Sequence, residues 1–269
     1  MAESLHIDPD RLKILLAGRK PGYSIHFFDE LESTSATAIR MAIEGAPAGT
    51  IVISSTQTGG VGRFGRRWHS PRGGLWFSLV ARPAARDATP LTLITGASVS
   101  RGVEGFTGLE CGFHWPNDIF FDGAKAGGVL LQSRFVGSRL EHVVAGIGIN
   151  ANFSASALGG DLLTRPATLL DLLGREVDLN GLLSSILGCI EEDYARFERE
   201  GPGGLIKKYA SRCVTLGRQV RLHEEDGTAR DGTAIGLTGE GGLVVDFAGG
   251  KRETVLNAYR LTLPEGLAG

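Results

Sequence analysis

Residues Thr56–Leu79, TQTGGVGRFGRRWHSPRGGLWFSL, place six glycines and four arginines between two stretches of strand-like sequence. A glycine-rich segment with strands on both sides narrows what the chain can be. It is not a P-loop, because no GK[ST] closes it. It is not a dinucleotide fingerprint, because strand-like sequence rather than a helix follows it. What remains is a sheet from which a loop of bare amides and guanidiniums hangs. Glycine lets backbone N–H groups approach an anion, and arginine offers forked donors to phosphate or carboxylate. By composition alone, a solvated surface loop is an equal alternative. Trp68 is either a core residue or a cover for a flat ring, and its spacing favours the core.

The flanks support a mixed fold. Residues 8–17 read as a short helix with Asp8 as cap and Pro9 in the first turn. GYSIHFFDEL (22–31) reads as a strand, and STSATAIRMAIEG (33–45) as a helix capped by Ser33 or Thr34. GTIVISS (49–55) and GGLWFSLVAR (73–82) are strands on either side of the loop, and 89–106 is a buried helix. CGFHWPND (111–118) ends a strand in a turn, Ile119–Phe135 forms a hairpin about Asp122-Gly123, and 140–152 is a further buried strand. Residues 180–200, with Asn180 as cap, and 203–213 are helices. After Cys213 the composition shifts to four or five short alternating segments. Turns at Asp226-Gly227, Asp231-Gly232, Gly239–Gly242 and Gly249-Gly250 separate them, as in a small β-barrel. We therefore expect an α+β domain over residues 1–213, a mixed sheet with helices on one face, and a barrel over 214–269.

With 269 residues and 42% hydrophobic composition, the chain can bury a real core. A net charge of −2 gives it no overall attraction to nucleic acid or membrane, so any such affinity must be local. Cys111, Cys189 and Cys213 are odd in number and lack CxxC spacing. That argues against a disulfide framework or zinc site and fits a reducing cytoplasm. No apolar run has the length of a signal peptide or membrane span.

Three further stretches are candidates for chemistry. HWPND (114–118) presents Asn117 and Asp118 at a strand end, though Pro-Asn-Asp is also an ordinary turn. Lys125, in DGAKAGG, sits among small residues that leave room for a ligand. A lysine there can neutralise charge between a carboxylate and a phosphate, or simply blunt a sheet edge. In GIGIN (146–150), Gly146 and Gly148 interrupt an apolar strand, marking either close approach by another group or tight packing.

Taken in order, ESTSATA (32–38), TQTGGVGRFGRRWHSP (56–71), HWPND (114–118), KAGGVLLQ (125–132) and GIGIN (146–150) resemble the biotin protein ligases. Coverage runs from about residue 20 to the end. The resemblance implies a class II synthetase-like catalytic domain followed by an SH3-like barrel. It implies a reaction that uses ATP and biotin with Mg²⁺, and a carrier-protein lysine as acceptor. It also implies a homodimer.

Residue by residue, the resemblance makes Arg63 the contact to the biotin carboxylate or α-phosphate that retains the intermediate. Gln57 and the Gly60 amide lie along biotin, and Trp68 stacks near the adenine. Ser33 and Thr34 bond the ureido end, while Lys125 sits between carboxylate and α-phosphate. Gly128, Gly146 and Gly148 let the biotin tail pass, with Asn150 closing the set. Asn117 holds phosphate or metal-bound water, and Asp118 orients or deprotonates the incoming lysine. No protein ligand to a metal is expected.

The chain departs from the pattern at Val61, where a cation is usual, at His114, where lysine is usual, and at Ser133, where an acid is common. The His114 change makes a phosphate contact pH-dependent or removes it. Some members carry an N-terminal helix-turn-helix domain. Only one short helix precedes the match here, so DNA binding is not expected. A lipoate ligase shares the implied fold, but the GRxGRxW loop and the C-terminal barrel weigh against it. A non-catalytic sensor is the other rival, supported by Val61 and His114.

Overall fold

The computed structural model describes residues 6–263 apart from 86, 160, 161 and 163. Its first half is a seven-stranded sheet built from β1 (Ser24–Leu31), β2 (Thr50–Gln57), β3 (Leu75–Ala81), β4 (Gly112–His114), β5 (Asp118–Phe121), β6 (Ala124–Val136) and β7 (Arg139–Ile149), in the order β1-β2-β3-β7-β6-β5-β4. β1 and β2 pair in parallel, joined by helix α2 (Thr34–Ile43), and the remaining neighbours are antiparallel. Parallel pairing demands such a crossover, whereas the antiparallel pairs permit short connections.

The period of two along the strands divides the sheet into two faces. Ile51 and Ile53, Leu75 and Phe77, and Ile147 and Ile149 form a core with Val99 and Val103 of α3 (Thr89–Thr107) and Leu182, Leu183 and Ile186 of α5 (Leu179–Glu200). The alternate residues Val52, Val80 and Val144 pack instead on Ala38 and Ala42 of α2. Helices therefore cover both faces, not one as expected, because the α2 crossover returns on the side opposite α3 and α5. Two short helices, α1 (Pro9–Leu15) and α4 (Leu169–Leu173), flank this body, and α6 (Gly203–Ala210) leads to the second sheet. Asp8 caps α1, accepting from Asp10 N and Arg11 N. Asp178, not Asn180, caps α5. Asn180 lies inside the helix, where its Oδ1 accepts from Asp8 N and ties down the start of α1.

The second sheet is antiparallel, with β8 (Gln219–His223), β9 (Ala229–Leu237), β10 (Leu243–Phe247), β11 (Lys251–Val255) and β12 (Arg260–Thr262) in the order β11-β10-β9-β8-β12. Asp231-Gly232, expected as a turn, lies inside β9. The glycine answers a close approach: a Cβ there would stand 2.6 Å from Val245 Cγ1 and 2.8 Å from Asp246 O. The two sheets share an apolar cluster in which Phe113 and Trp115 meet Val220, Leu222, Leu243 and Val245. Trp115 adds two hydrogen bonds across the junction, from its N to Thr215 Oγ1 (2.9 Å) and from Nε1 to Gly241 O (3.0 Å).

Candidate functional site

Strand register builds the site on the α2 side of the large sheet. Trp76 of β3 pairs with Gly148 of β7, Gly148 with Gly128 of β6, and Gly128 with Asp118 of β5. One row therefore runs from an indole across two bare backbones to a carboxylate. In the parallel row, Ser78 pairs with Gly146. A cavity of about 470 Å³ lies over this floor, roofed by the Gly/Arg loop.

Lys125 joins the row through a bulge. The β5–β6 register shifts between Ile119 and Phe120, so that Ile119 faces Gly127 and Phe120 faces Lys125. The shift leaves Ala124 and Ala126 in the core with Val129 and turns Lys125 to the side of Gly128. Its Nζ then lies 2.7 Å from Asp118 Oδ1 and 5.2 Å from the centre of the Trp68 ring.

The opposite end of the cavity is a chain of uncharged polar groups. Ser33 caps α2, its Oγ accepting from Ala36 N at 3.3 Å. Thr34 N and Oγ1 donate to Gln57 Oε1 (2.8 and 3.2 Å), and Gln57 Nε2 donates to Ser70 Oγ (2.8 Å). Ser78 Oγ, fully buried, lies 2.9 Å from Thr34 Oγ1 and 3.0 Å from Ser35 Oγ.

The loop is folded over the floor by Trp68 N donating to Gly60 O (2.8 Å) and Gly62 N to Arg66 O (2.7 Å). Arg63 Nη1 donates to Asn117 Oδ1 (3.2 Å), and its Nη2 to Ala258 O (3.1 Å) and to Asn257 Oδ1. Burial lowers the Arg63 pKa, opposed by the nearby Asp118 carboxylate. Asn117 Nδ2 donates to Val129 O (2.9 Å), and Asn150 Nδ2 to Ala167 O (3.0 Å), so both amides also hold the cavity wall together.

Eleven of the twelve ligand-side residues expected from sequence line this cavity: Ser33, Thr34, Gln57, Arg63, Trp68, Asn117, Lys125, Gly128, Gly146, Gly148 and Asn150; Asp118 lines it too. Gly60 does not. It closes the loop, and a Cβ on it would stand 2.6 Å from Trp68 O. Trp68 is half-buried against the Trp76 cluster, and its indole also lies against Gly128 and Gly148. A Cβ on Gly148 would stand 2.7 Å from its Nε1, a buried donor with no partner. Gly146 makes room for Ser35 in the same way, at 2.3 Å from its Oγ.

The three departures fare differently. His114 lies outside the cavity, buried and stacked on Phe120 with ring centres 5.0 Å apart. Burial pushes its pKa down to about 4, so the imidazole is neutral near pH 7 and brings no cation to the cavity from this position. Val61 is exposed at the cavity mouth, and Ser133 is exposed on β6 away from it. Among the described residues, no group of three or more His, Cys, Asp or Glu could hold a metal ion.

Sequence reasoning missed Ser78, Ser35, Ser70 and the segment Asn257–Tyr259. Ser78 had a signal, a lone hydroxyl in the otherwise apolar LWFSLVA. Asn257–Tyr259 had none, since it reaches Arg63 across 194 residues.

Comparison with known proteins identifies the family and the fold. The biotin/lipoate A/B protein ligase family matches residues 27–150, and the biotin protein ligase C-terminal domain matches residues 215–257. The bifunctional ligase/repressor BirA of Bacillus subtilis is 34% identical over 228 residues, covering 84% of this chain and 70% of that protein. The chain belongs to the biotin protein ligase family. The biotin–[acetyl-CoA-carboxylase] ligase of Mycobacterium tuberculosis is 28% identical over 261 residues, 94% of each chain. The biotin protein ligase of Aquifex aeolicus, solved in complex with biotin and ATP, superposes with a TM-score of 0.78 at 28% identity, covering 90% of this chain and 99% of that one.

Proposed function

We propose that the protein is an ATP-dependent biotin protein ligase, which makes biotinyl-5′-AMP and passes biotin to a lysine of a carrier domain of a biotin-dependent carboxylase. The observation that carries this reading is the convergence of Lys125 and Arg63 on one cavity whose floor is bare glycine backbone and whose far end is hydroxyl and amide. Joining a carboxylate to a phosphate brings two anions together, and preplaced cations lower that barrier. The flat glycine floor, on which the Trp68 indole rests, leaves room for an alkyl tail to slide between the backbone and a lifted indole. The Thr34–Gln57–Ser78 network offers donors and acceptors to a ureido ring.

In the first step a biotin carboxylate oxygen bonds to the α-phosphorus of ATP and the bond to pyrophosphate breaks. Magnesium bound to the nucleotide would shield its phosphate charge, and Asn117, which lines the cavity beside Arg63, would hold a phosphate or a metal-bound water. As Lys125 turns to the new anion, Asp118 is freed. In the second step the carrier lysine amine attacks the acyl carbon, Asp118 orients it and takes its proton, and AMP leaves with the electron pair of the broken anhydride bond. The loop keeps water from the adenylate, and Trp68 covers the adenine.

We assign catalysis to residues 1–213 and an SH3-like barrel to 214–269. The resemblance carries a homodimer with it, and β1, an edge strand among the described residues, offers a side for it. No helix among the described residues is long and apolar enough to cross a membrane, and we place the protein in the cytoplasm.

The test is biotin-dependent exchange of labelled pyrophosphate into ATP, with lipoate and octanoate as controls. Exchange with biotin alone is expected. Exchange with lipoate or octanoate instead would move the chain to the other branch of the family. Biotin binding without exchange would make it a sensor.

A further inference from the structure

The Gly/Arg loop is docked on the second sheet. Its resting place is Asn257–Tyr259, the link between β11 and β12. Arg66 Nη2 donates to Tyr259 O (2.8 Å), and its guanidinium carbon lies 4.4 Å from the centre of the Tyr259 ring. Phe64, held at φ 57°, sets its ring 5.1 Å from that of Tyr259 and carries Arg63 on its other contacts, 5.1 Å from guanidinium carbon to ring centre. Arg63 meanwhile donates to Asn117, Asn257 and Ala258 O. All three acceptors are neutral. They fix the guanidinium in space without cancelling its charge, whereas a carboxylate in their place would compete with an incoming anion.

We propose that Tyr259 is a positioning residue for the adenylation chemistry. Its ring clamps the Arg63–Arg66 turn over the cavity, so that retention of the biotinyl-adenylate depends on a residue of the C-terminal segment. This rests on the function proposed above. Tyr259 is partly exposed (38%) and touches the loop through its ring and its backbone carbonyl, which a phenylalanine keeps and an alanine reduces to the carbonyl alone.

The experiment uses the full chain, loaded with biotin and MgATP and freed of excess nucleotide. It follows the release of biotinyl-AMP with time, beside wild-type pyrophosphate exchange. Losing a cation–π contact and an aromatic pair from a half-exposed site should speed release about fivefold or more in Tyr259→Ala. Tyr259→Phe should retain the intermediate as wild type does, which a need for the hydroxyl would not predict, and a wild-type melting temperature in Tyr259→Ala separates the clamp from bulk stability. Phe64→Leu removes the same clamp from the loop side and should leak similarly, with the double variant no worse than the worse single one. Arg63→Gly sets the upper bound of leakage. Retention at the wild-type rate in Tyr259→Ala, or leakage by Tyr259→Phe equal to that of the alanine variant, would overturn the proposal. If Tyr259→Ala loses its melting transition, Phe64→Leu decides alone. Failure of the wild type to exchange pyrophosphate would instead sink the proposed function itself.

Discussion

Lys125 lies in the cavity because of one irregular pairing. Without the bulge opposite Ile119 and Phe120, a residue three positions from Gly128 would face the core. Lys125→Ala should therefore cost adenylate formation at least about hundredfold while changing stability by no more than about 1 kcal/mol, because the pair it leaves is partly solvated. Pyrophosphate exchange and a melting curve on the same preparation check both halves. Wild-type exchange would remove Lys125 from the mechanism. Gly148 makes a separate prediction. A Cβ there would stand 2.7 Å from Trp68 Nε1 and 3.0 Å from its Cε2, so Gly148→Ala must push the indole off the floor. Overpacking of this kind costs about 1–3 kcal/mol of stability, and the displaced indole should raise the KM for biotin by roughly fivefold or more. A KM unchanged in this variant would mean that biotin does not use that floor. Gly146 and Gly148 were legible in the sequence because they interrupt an apolar strand, and Lys125 because it stands among small residues; Asp118, in a segment that also reads as an ordinary turn, was marked only by the family resemblance. The bulge was not, since a register shift depends on two strands at once and neither one encodes it alone.

Helices α3, α5 and α6 are bound by one buried carboxylate rather than by apolar contact alone. Asp193 of α5, 1% exposed, accepts from Ser98 Oγ of α3 (2.7 Å), Tyr209 OH of α6 (2.6 Å) and Arg101 Nη2 (3.1 Å). Burial, and after it the hydrogen bond to Asp193, push the Tyr209 phenol above its ordinary range. Asp193→Ala strips the hub and leaves three polar groups facing a void, so we expect a loss of about 3 kcal/mol or more. Urea unfolding measures it, and a loss under about 1 kcal/mol would show that the helices hold by apolar packing alone. At this scale the sequence was most readable in long periodic segments. The helices over 89–107 and 179–200 and the strands flanking the loop lie where periodicity puts them. The errors fall where a tertiary contact overrides a local rule. Asn180 is drawn inward to bond Asp8 N, leaving the cap to Asp178. Asp231-Gly232 is a turn dipeptide that the neighbouring β10 holds extended. The side taken by α2 was equally hidden, since Ala38 and Ala42 suit either face of a sheet.

His114 stands at the junction of the two sheets, one residue before the Trp115 that hydrogen-bonds to both Thr215 and Gly241. It therefore couples the whole molecule to pH. Its imidazole is neutral in the fold, with the pKa pushed down to about 4 by burial, and the nearby Lys125 adds to the shift while Asp118 opposes it. In the unfolded chain the pKa is about 6.5. Above pH 6.5 neither state binds the proton and the fold keeps its full stability. As pH falls from there toward 4, the unfolded chain gains a proton that the fold refuses, and stability is lost by about 1.4 kcal/mol per pH unit. By pH 4.5 this one residue should cost about 2–3 kcal/mol. Native carboxylates protonate over part of the same range, so the comparison that isolates His114 is with His114→Phe, which keeps a ring against Phe120 and removes the titration. Urea midpoints at pH 7.5 and 4.5 should diverge more for the wild type than for the variant. Because Phe113 and Trp115 belong to one cluster with Val220, Leu243 and Val245, the acid loss should appear in a single transition, seen alike by tryptophan fluorescence and far-ultraviolet dichroism. Equal divergence in the two proteins would mean that the imidazole takes its proton without unfolding. Two separate transitions would mean that the junction around Trp115 does not bind the sheets into one cooperative unit.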